Sequence, residues 1–330
     1  MKSRTLGAGG SEVSAVGLGA MNISGFYGAA TEGQAFALFD RAQELGVDHL
    51  DTSNAYGNGH SEETIGRYFK DRGAVFRIAT KAGICRDPNT GARYFDNSAK
   101  HLTDSLEASL VRLGVECVDL FYVHRRDASR PIEEVTETLA GLVRTGKARA
   151  FGFSEIAPAS LRRAAAIHPV AAVQSEYSLA TRAPDLGLVQ ACAALGTTLV
   201  AFSPVGRGLL TDTPPNRARA MESGFLKDNP RFIEPNMTAN LAATDRLRRL
   251  AAEMGLPAAT LSIAWLLAQG GHILPIPGTR NPDHLAEAVR GATLDLSATD
   301  LARIEEALPV GWAHGDRYSE SQWNGPECYC

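Results

Sequence analysis

Four side chains in the first half of the chain have the types and placement that proton transfer requires: Asp51, Tyr56, Lys81 and His124. Asp51 lies in the β-rich run His49 to Ser53, Tyr56 follows in the next loop, Lys81 ends the run from Arg77, and His124 ends the run from Val118. Singly, each has a plain structural reading as a cap, a packed ring, a snorkelling amine or a core imidazole. A lysine closing an apolar run is costly to bury without a counter-charge, and Asp51 is its natural partner. Reducing a carbonyl takes a hydride at carbon and a proton at oxygen, and a free tyrosine, with a pKa of about 10, is a poor acid at neutral pH. A nearby ammonium favours the phenolate, and an imidazole can orient both the phenol and a carbonyl oxygen. Lys81 and His124 fit those roles.

The elements that must position these residues alternate along the whole chain. Strand-like runs lie near Val16 to Met21, His49 to Ser53, Arg77 to Lys81, Val118 to His124, Arg149 to Ser154, Ala172 to Glu176, Thr198 to Ser203 and Ile273 to Pro277, eight in all. Helical stretches separate them, near Glu32 to Leu45, Ser61 to Phe69, Ala99 to Leu113, Ile132 to Thr145, Ala159 to Ile167, Asp185 to Leu195 and Pro282 to Val289, with two helices expected in the longer seventh crossover. In the first of these two, Leu247, Leu250 and Met254 recur at helical steps, as on a helix docked by one face. Gly46, Gly114, Gly146, Gly196 and Gly255 stand where helices would end. Eight strand-helix units predict a closed (β/α)₈ TIM barrel, whose active site gathers at the C-terminal strand ends. A doubly wound sheet is the alternative, and the first helix lacks its Gly-x-Gly-x-x-Gly opening.

The chain, 1–330, reads as one barrel domain with three additions. Residues 1–12, with the turn Ala8-Gly9-Gly10-Ser11, predict a hairpin at the barrel bottom. The proline-bearing stretch 204–240 after strand seven is long for a loop and predicts a lid. Residues 309–330 form a C-terminal tail ending in Cys328-Tyr329-Cys330, expected to fray rather than to grip a metal.

Hydrophobic residues make up 44% and charged residues 21%, enough to bury a core without metals or disulfides, and no metal site is expected. A net charge of −4 with mixed signs offers no basic stripe, which argues against nucleic acid or anionic lipid as partner. No secretory or bilayer-spanning run is evident, and isolated Cys85, Cys117 and Cys192 suit a reducing compartment, so a cytoplasmic location is expected. No heptad or apolar patch specifies an oligomeric state.

The segments Asp51-Thr52-Ser53-Asn54-Ala55-Tyr56-Gly57, Thr80-Lys81 and Tyr122-Val123-His124 resemble the tetrad of the aldo-keto reductase family. The resemblance extends over nearly the whole chain. It continues through Gly17-Leu18-Gly19-Ala20-Met21, Gly152-Phe153-Ser154, Gln174-Ser175-Glu176-Tyr177-Ser178, Phe202-Ser203-Pro204, Gly206-Arg207-Gly208 and Ile276-Pro277-Gly278-Thr279-Arg280. Pro230-Arg231-Phe232 is similar to the branch of auxin-induced-type and pyridoxal reductase-like enzymes.

The resemblance implies that Tyr56 is the general acid, Lys81 tunes it, Asp51 pairs with Lys81, and His124 orients a small-molecule carbonyl substrate. It also implies NADPH/NADP+ bound without a Rossmann fold. Ser154 and Gln174 would hold the carboxamide, Phe202 would stack on the nicotinamide, and Ser203, Pro204, Gly206, Arg207 and Gly208 would follow the pyrophosphate. Gly278, Thr279 and Arg280 would meet the 2′-phosphate, where a guanidinium fork fits, and Glu287 would lie near the adenine. Glu155 stands where many members have asparagine, and as a carboxylate it cannot donate to an amide oxygen. Ala288 replaces another frequent asparagine, a loss worth about 0.5 to 1.5 kcal/mol of hydrogen bonding. Met21, Tyr27 and Arg125 are candidate substrate contacts, and Arg125 with Arg126 raises the prospect of an anionic substrate. Two other readings use the same residues: a cofactor-sensing binding subunit, and an aldolase or isomerase with Lys81 as Schiff base, which leaves the cofactor motifs idle.

Overall fold

The computed structural model describes residues 1–73 and 76–329. Strands β1 (Ser3–Thr5) and β2 (Glu12–Ser14) pair antiparallel, two residues beyond the expected end of the hairpin. Then come β3 (Leu18–Gly19), β4 (His49–Asp51) and β5 (Arg77–Ala82), a small hairpin of β6 (Ile84–Arg86) and β7 (Arg93–Phe95), and β8 (Val118–Val123), β9 (Ala148–Ser154), β10 (Ala172–Glu176), β11 (Thr198–Phe202) and β12 (Ile273–Pro275). The eight-stranded sheet runs β3-β4-β5-β8-β9-β10-β11-β12, and every neighbouring pair is parallel. Gly17 N–H donates to Pro275 O and Gly19 N–H to Pro277 O, each at 3.0 Å, and these bonds close the barrel. Closure removes both sheet edges, which the doubly wound alternative would have left.

Two apolar layers result. Ala79, Leu120, Tyr122, Ala172, Val200 and Leu274 fill the barrel, and Leu6 and Val13 of the hairpin join them from below. Gly7 N–H donates to Thr198 Oγ1 at 2.8 Å, so the hairpin plugs the bottom as expected. Outside the strands lie α1 (Glu32–Glu44), α2 (His60–Arg72), α3 (Ala99–Leu113), α4 (Ile132–Arg144), α5 (Pro158–Ile167) and α6 (Leu188–Leu195). They are followed by α7 (Arg217–Glu222), α8 (Asn236–Glu253), α9 (Ala258–Ala268), α10 (Pro282–Arg290) and α11 (Ala298–Ala307). Thr31 and Gln34 cap α1 reciprocally, and Ser98 caps α3 by accepting from His101 N–H. No single helix among the described residues is long and apolar enough to cross a membrane. The expected helix from Asp185 is split at Gly187, whose φ of 121° separates a 3₁₀ turn from α6. The β6-β7 hairpin and α11 were not among the expected elements.

The stretch 204–240 holds α7, two 3₁₀ turns and the start of α8, with Leu209, Ala220, Leu226, Phe232 and Met237 buried in a cluster of their own. The tail is docked, against the expectation of fraying. Trp312 Nε1 donates to Leu179 O at 2.7 Å, Glu327 N–H to Glu155 O at 2.9 Å, and Tyr329 Oη lies 2.9 Å from Ser175 Oγ. Cys328 is a free, exposed thiol, and Cys330 lies outside the described residues.

Buried charge fastens the tail and the long stretch to the strand ends. Glu155 binds Arg317, and Glu176 takes a bidentate pair from Arg207 at 2.9 and 2.5 Å, with Arg231 and Arg317 each at 3.6 Å. Burial alone would raise the Glu155 carboxyl, but Arg317 and Arg125 outweigh it and hold it below the usual carboxylate range. Burial is likewise outweighed at Glu176 by Arg207, Arg317 and Arg231.

Two outcomes follow for stability. A Cβ on Gly152 would stand 2.3 Å from Ala172 O and 2.7 Å from the Tyr122 ring, so Gly152→Ala is expected to cost about 3 kcal/mol in urea unfolding. Because Glu155 has a lowered folded-state pKa, its contribution is present above the unfolded value of about 4.3 and is lost as pH falls through the folded one. Unfolding measured from pH 7 down to roughly pH 3 should therefore show the advantage of the natural chain over Glu155→Gln shrinking as acid is added. A constant difference would mean that Glu155 does not carry this charge.

Candidate active site

The tetrad converges at the C-terminal mouth of the barrel. Asp51 ends β4, and pairing of Asp51 with Ala79 sets Lys81 two residues further along β5, on the same inward face. The Lys81 ammonium binds the Asp51 carboxylate, donates to Thr52 O at 2.8 Å and reaches Tyr56 Oη at 3.5 Å. Its side chain is wholly buried and that of Asp51 is 2% exposed. Gln174 of β10 donates to the second Asp51 oxygen at 2.7 Å. His124 follows β8, held by its backbone N–H on Ala82 O at 2.8 Å, with Nδ1 3.0 Å from Ser53 Oγ. Its ring meets that of Tyr56 edge to face at 5.7 Å.

Electrostatics assigns the resting protonation. Burial pulls Lys81 down, yet Asp51 and Tyr56 hold it above its ordinary value, so the amine is charged. Burial, then Arg125, Lys81 and Arg93, keeps His124 well below the usual imidazole range, so it is neutral at pH 7. Burial raises Tyr56 above its ordinary value despite the opposing pull of Lys81. This corrects the expectation of a lowered phenol: in the free protein desolvation wins, and Tyr56 stays protonated, the state a proton donor needs. Ser53 Oγ can donate to Nδ1 or to Lys81 O at 3.3 Å, and in the tautomer that accepts from Ser53 the neutral imidazole carries its proton on Nε2.

A cleft of about 1740 Å³ opens above Asp51, Tyr56 and His124, with Lys81 beneath its floor. Ser154, Gln174, Phe202, Ser203 and Pro204 line it near the tetrad, and Gly278, Thr279, Arg280 and Glu287 line the wall built by the loop after β12 and by α10. Met21, Tyr27 and Arg125 line it too, whereas Gly206 does not. Arg125 donates to Ser154 Oγ at 3.0 Å, and Arg126 is turned away to Glu327 at 3.1 Å. Burial pushes the Tyr27 phenol up to about 12. Among the described residues no cluster of three or more His, Cys, Asp or Glu side chains is placed to hold a metal ion.

Two residues of the expected cofactor segments are engaged in ion pairs. The Arg207 side chain is 2% exposed and spent on Glu176, so its guanidinium does not follow the cleft; its backbone does, at a φ of 56°. Ser203, at φ 50°, and Glu155, at φ 57°, share this left-handed conformation, which costs about 1–3 kcal/mol per residue; the side chains of Arg207 and Glu155 are fixed by ion pairs. Glu155 is spent on Arg317, Ser175 Oγ and Glu176 N–H, so it adds nothing to an amide clamp. The long stretch brings Phe225 into the cleft, the β6-β7 hairpin brings Arg93, and the tail brings Tyr318. None of the three carries a local sequence signal, because each arrives through long-range docking.

The family model for the aldo/keto reductase family matches residues 15–309. An aldo-keto reductase of Schizosaccharomyces pombe whose name specifies NADP(+) is 38% identical over 315 residues, covering 94% of this chain and 93% of the relative. A probable aldo-keto reductase of Glycine max is 36% identical over 321 residues, covering 95% and 90%. Among solved structures, a glycerol dehydrogenase of Gluconobacter oxydans superposes with a TM-score of 0.82 at 26% identity, covering 93% and 94%. The barrel, the tetrad geometry and these matches agree: the chain belongs to the aldo/keto reductase family.

Proposed function

We propose that the protein reduces an aldehyde or ketone to the alcohol at the expense of NADPH, with Tyr56 delivering the proton. The observation that supports this most directly is the buried Lys81 ammonium, fixed by Asp51 on one side and 3.5 Å from Tyr56 Oη on the other, under a cleft that also receives His124.

The chemistry of the cleft suits the cofactor. Phe202 offers a half-buried ring, Ser154 a hydroxyl and Gln174 an amide with its oxygen still available, all near the tetrad. At the other wall Arg280 donates, among the described residues, only to the carbonyl of Ala29, at 2.6 Å, which leaves its charge for a 2′-phosphate. When bound, NADPH supplies the hydride that the carbonyl carbon takes up. His124 Nε2–H and Tyr56 O–H both point to the carbonyl oxygen and polarise it. As negative charge develops there, Tyr56 gives its proton to the oxygen, and the Lys81 ammonium stabilises the phenolate left behind. Asp51 keeps Lys81 charged and aimed, and Gln174 holds Asp51. Within this proposal the stretch 204–240 serves as a lid, contributing Phe225 beside Tyr27, with ring centroids 6.0 Å apart.

Tyr56→Phe should retain NADPH binding, read by quenching of protein fluorescence, while turnover falls by about two orders of magnitude or more. Turnover within a few-fold of the natural chain would remove Tyr56 from the donor role. Arg280→Ala should raise the Michaelis constant for NADPH by about tenfold and that for NADH far less. Equal effects on the two would sink the phosphate assignment.

A further inference from the structure

The charge lining the cleft is divided unevenly. Arg86, Arg93 and Arg125 line the cleft, and of these Arg125 and Arg93 act on His124. The cleft acids lie elsewhere: Asp51 is spent on Lys81, Asp212 receives the first N–H of α9 at 3.1 Å, and Glu287 sits on α10. Among the described residues, none of the three arginines has a carboxylate partner. Arg86 donates to Gly91 O at 3.3 Å, and Arg93 donates to the tail carbonyls of Asn324 at 2.8 Å, Ser321 at 3.2 Å and Gln322 at 3.5 Å. Arg125 donates to His124 O at 2.7 Å, Ser154 Oγ at 3.0 Å and Tyr318 Oη at 3.4 Å.

Carbonyl and hydroxyl oxygens satisfy donors without neutralising charge. Elsewhere around the mouth the protein does neutralise it: Arg126, Arg207 and Arg317 each meet a glutamate. Arg280 and Arg219 also line the cleft without a carboxylate partner among the described residues; what sets Arg93 and Arg125 apart is that their charge acts on His124. Arg93 is held below its ordinary value by burial and then by Arg125 and Arg86, and both Arg93 and Arg125 help keep His124 neutral. Arg280, suited to a cofactor phosphate, lies on the wall built by α10, apart from Arg93 and Arg125, and the charge of these two is offset only in part, by Glu155 acting on Arg125 through space.

We propose that the substrate carries an anionic oxygen group, a carboxylate or a phosphate, received by Arg93 and Arg125 while its carbonyl oxygen lies between Tyr56 and His124. This rests on the reductase reading above. A guanidinium fork suits either anion, and the 3.4 Å contact of Arg125 with Tyr318 is long enough to exchange for a charge-assisted bond. The low-dielectric wall strengthens that bond relative to water.

The test compares kcat/KM with NADPH within two pairs: 4-carboxybenzaldehyde against 4-formylbenzamide, and glyceraldehyde 3-phosphate against glyceraldehyde. In the first pair the amide withdraws electrons more strongly from the aldehyde, so intrinsic reactivity works against the expected result. The anionic member should be favoured by about tenfold or more in at least one pair, and the preference should shrink as salt is raised. Preference confined to one pair identifies which anion the site takes. Arg93→Gln and Arg125→Gln should each move the favoured ratio toward one; the salt series on the natural chain needs neither variant to fold. Reduction of the neutral members with ratios at or below one in both pairs overturns the anionic substrate and leaves the reductase standing. No reduction of any of the four, with NADPH binding intact, removes the reductase reading and this inference with it.

Discussion

A wholly buried ammonium is the constraint around which the rest of the molecule is arranged. Lys81 has no access to solvent, and an isolated charge in that position would be costly enough to deprotonate or to open the fold. Three neighbours prevent this: the Asp51 carboxylate, the carbonyl of Thr52 and the hydroxyl of Tyr56. Asp51 in turn is held by Gln174 from across the barrel, so the pair exists only when the strands from β4 round to β10 are in register. Charge burial, barrel closure and the placement of Tyr56 are thus one requirement. Desolvation raises Tyr56 despite the opposing pull of Lys81, so the phenol keeps its proton in the free protein.

The mouth obeys a second constraint. Glu155 and Arg207 sit in left-handed backbone beyond the ends of β9 and β11, a conformation that needs external support. The support is ionic. Glu155 and Glu176 gather Arg207, Arg231 and Arg317 from the long stretch and the tail, tying three distant parts of the chain to two strand ends. The same tail presents Tyr318 to the cleft and is pinned at its other side by Arg93. Stability and substrate environment therefore share residues. Where the arginines pair with glutamates the mouth is neutralised, and where Arg93 and Arg125 donate to carbonyl and hydroxyl oxygens it keeps positive charge near His124.

Much of this was legible in the residues. All eight β-rich runs became barrel strands, and the tetrad positions, chosen as polar residues in those runs and, for Tyr56, in the loop after one of them, converged as barrel topology requires. Helix boundaries agreed within a few residues wherever a cap or a following glycine marked them, as at Ser98 and Gly114 of α3. Elements without such periodicity escaped. The three-residue strands β6 and β7 are too short to show alternation, and the tail docks by single side chains, Trp312, Arg317 and Tyr329, scattered among polar residues.

What the sequence determined by itself was which residues could do chemistry and which architecture would gather them, because strand alternation, helix caps and a lysine that demands a counter-charge are local signals. Only the tertiary structure decided how each charge was spent. Arg207 and Arg125 read alike as cleft arginines, yet one is buried on a glutamate thirty-one positions away and the other is left with neutral partners. Glu155 likewise reads as a substituted cofactor contact until Arg317, one hundred and sixty-two positions on, claims it. Coulomb energy depends on distance and burial, and both are set by which strand ends and loops meet at the mouth once the barrel has closed.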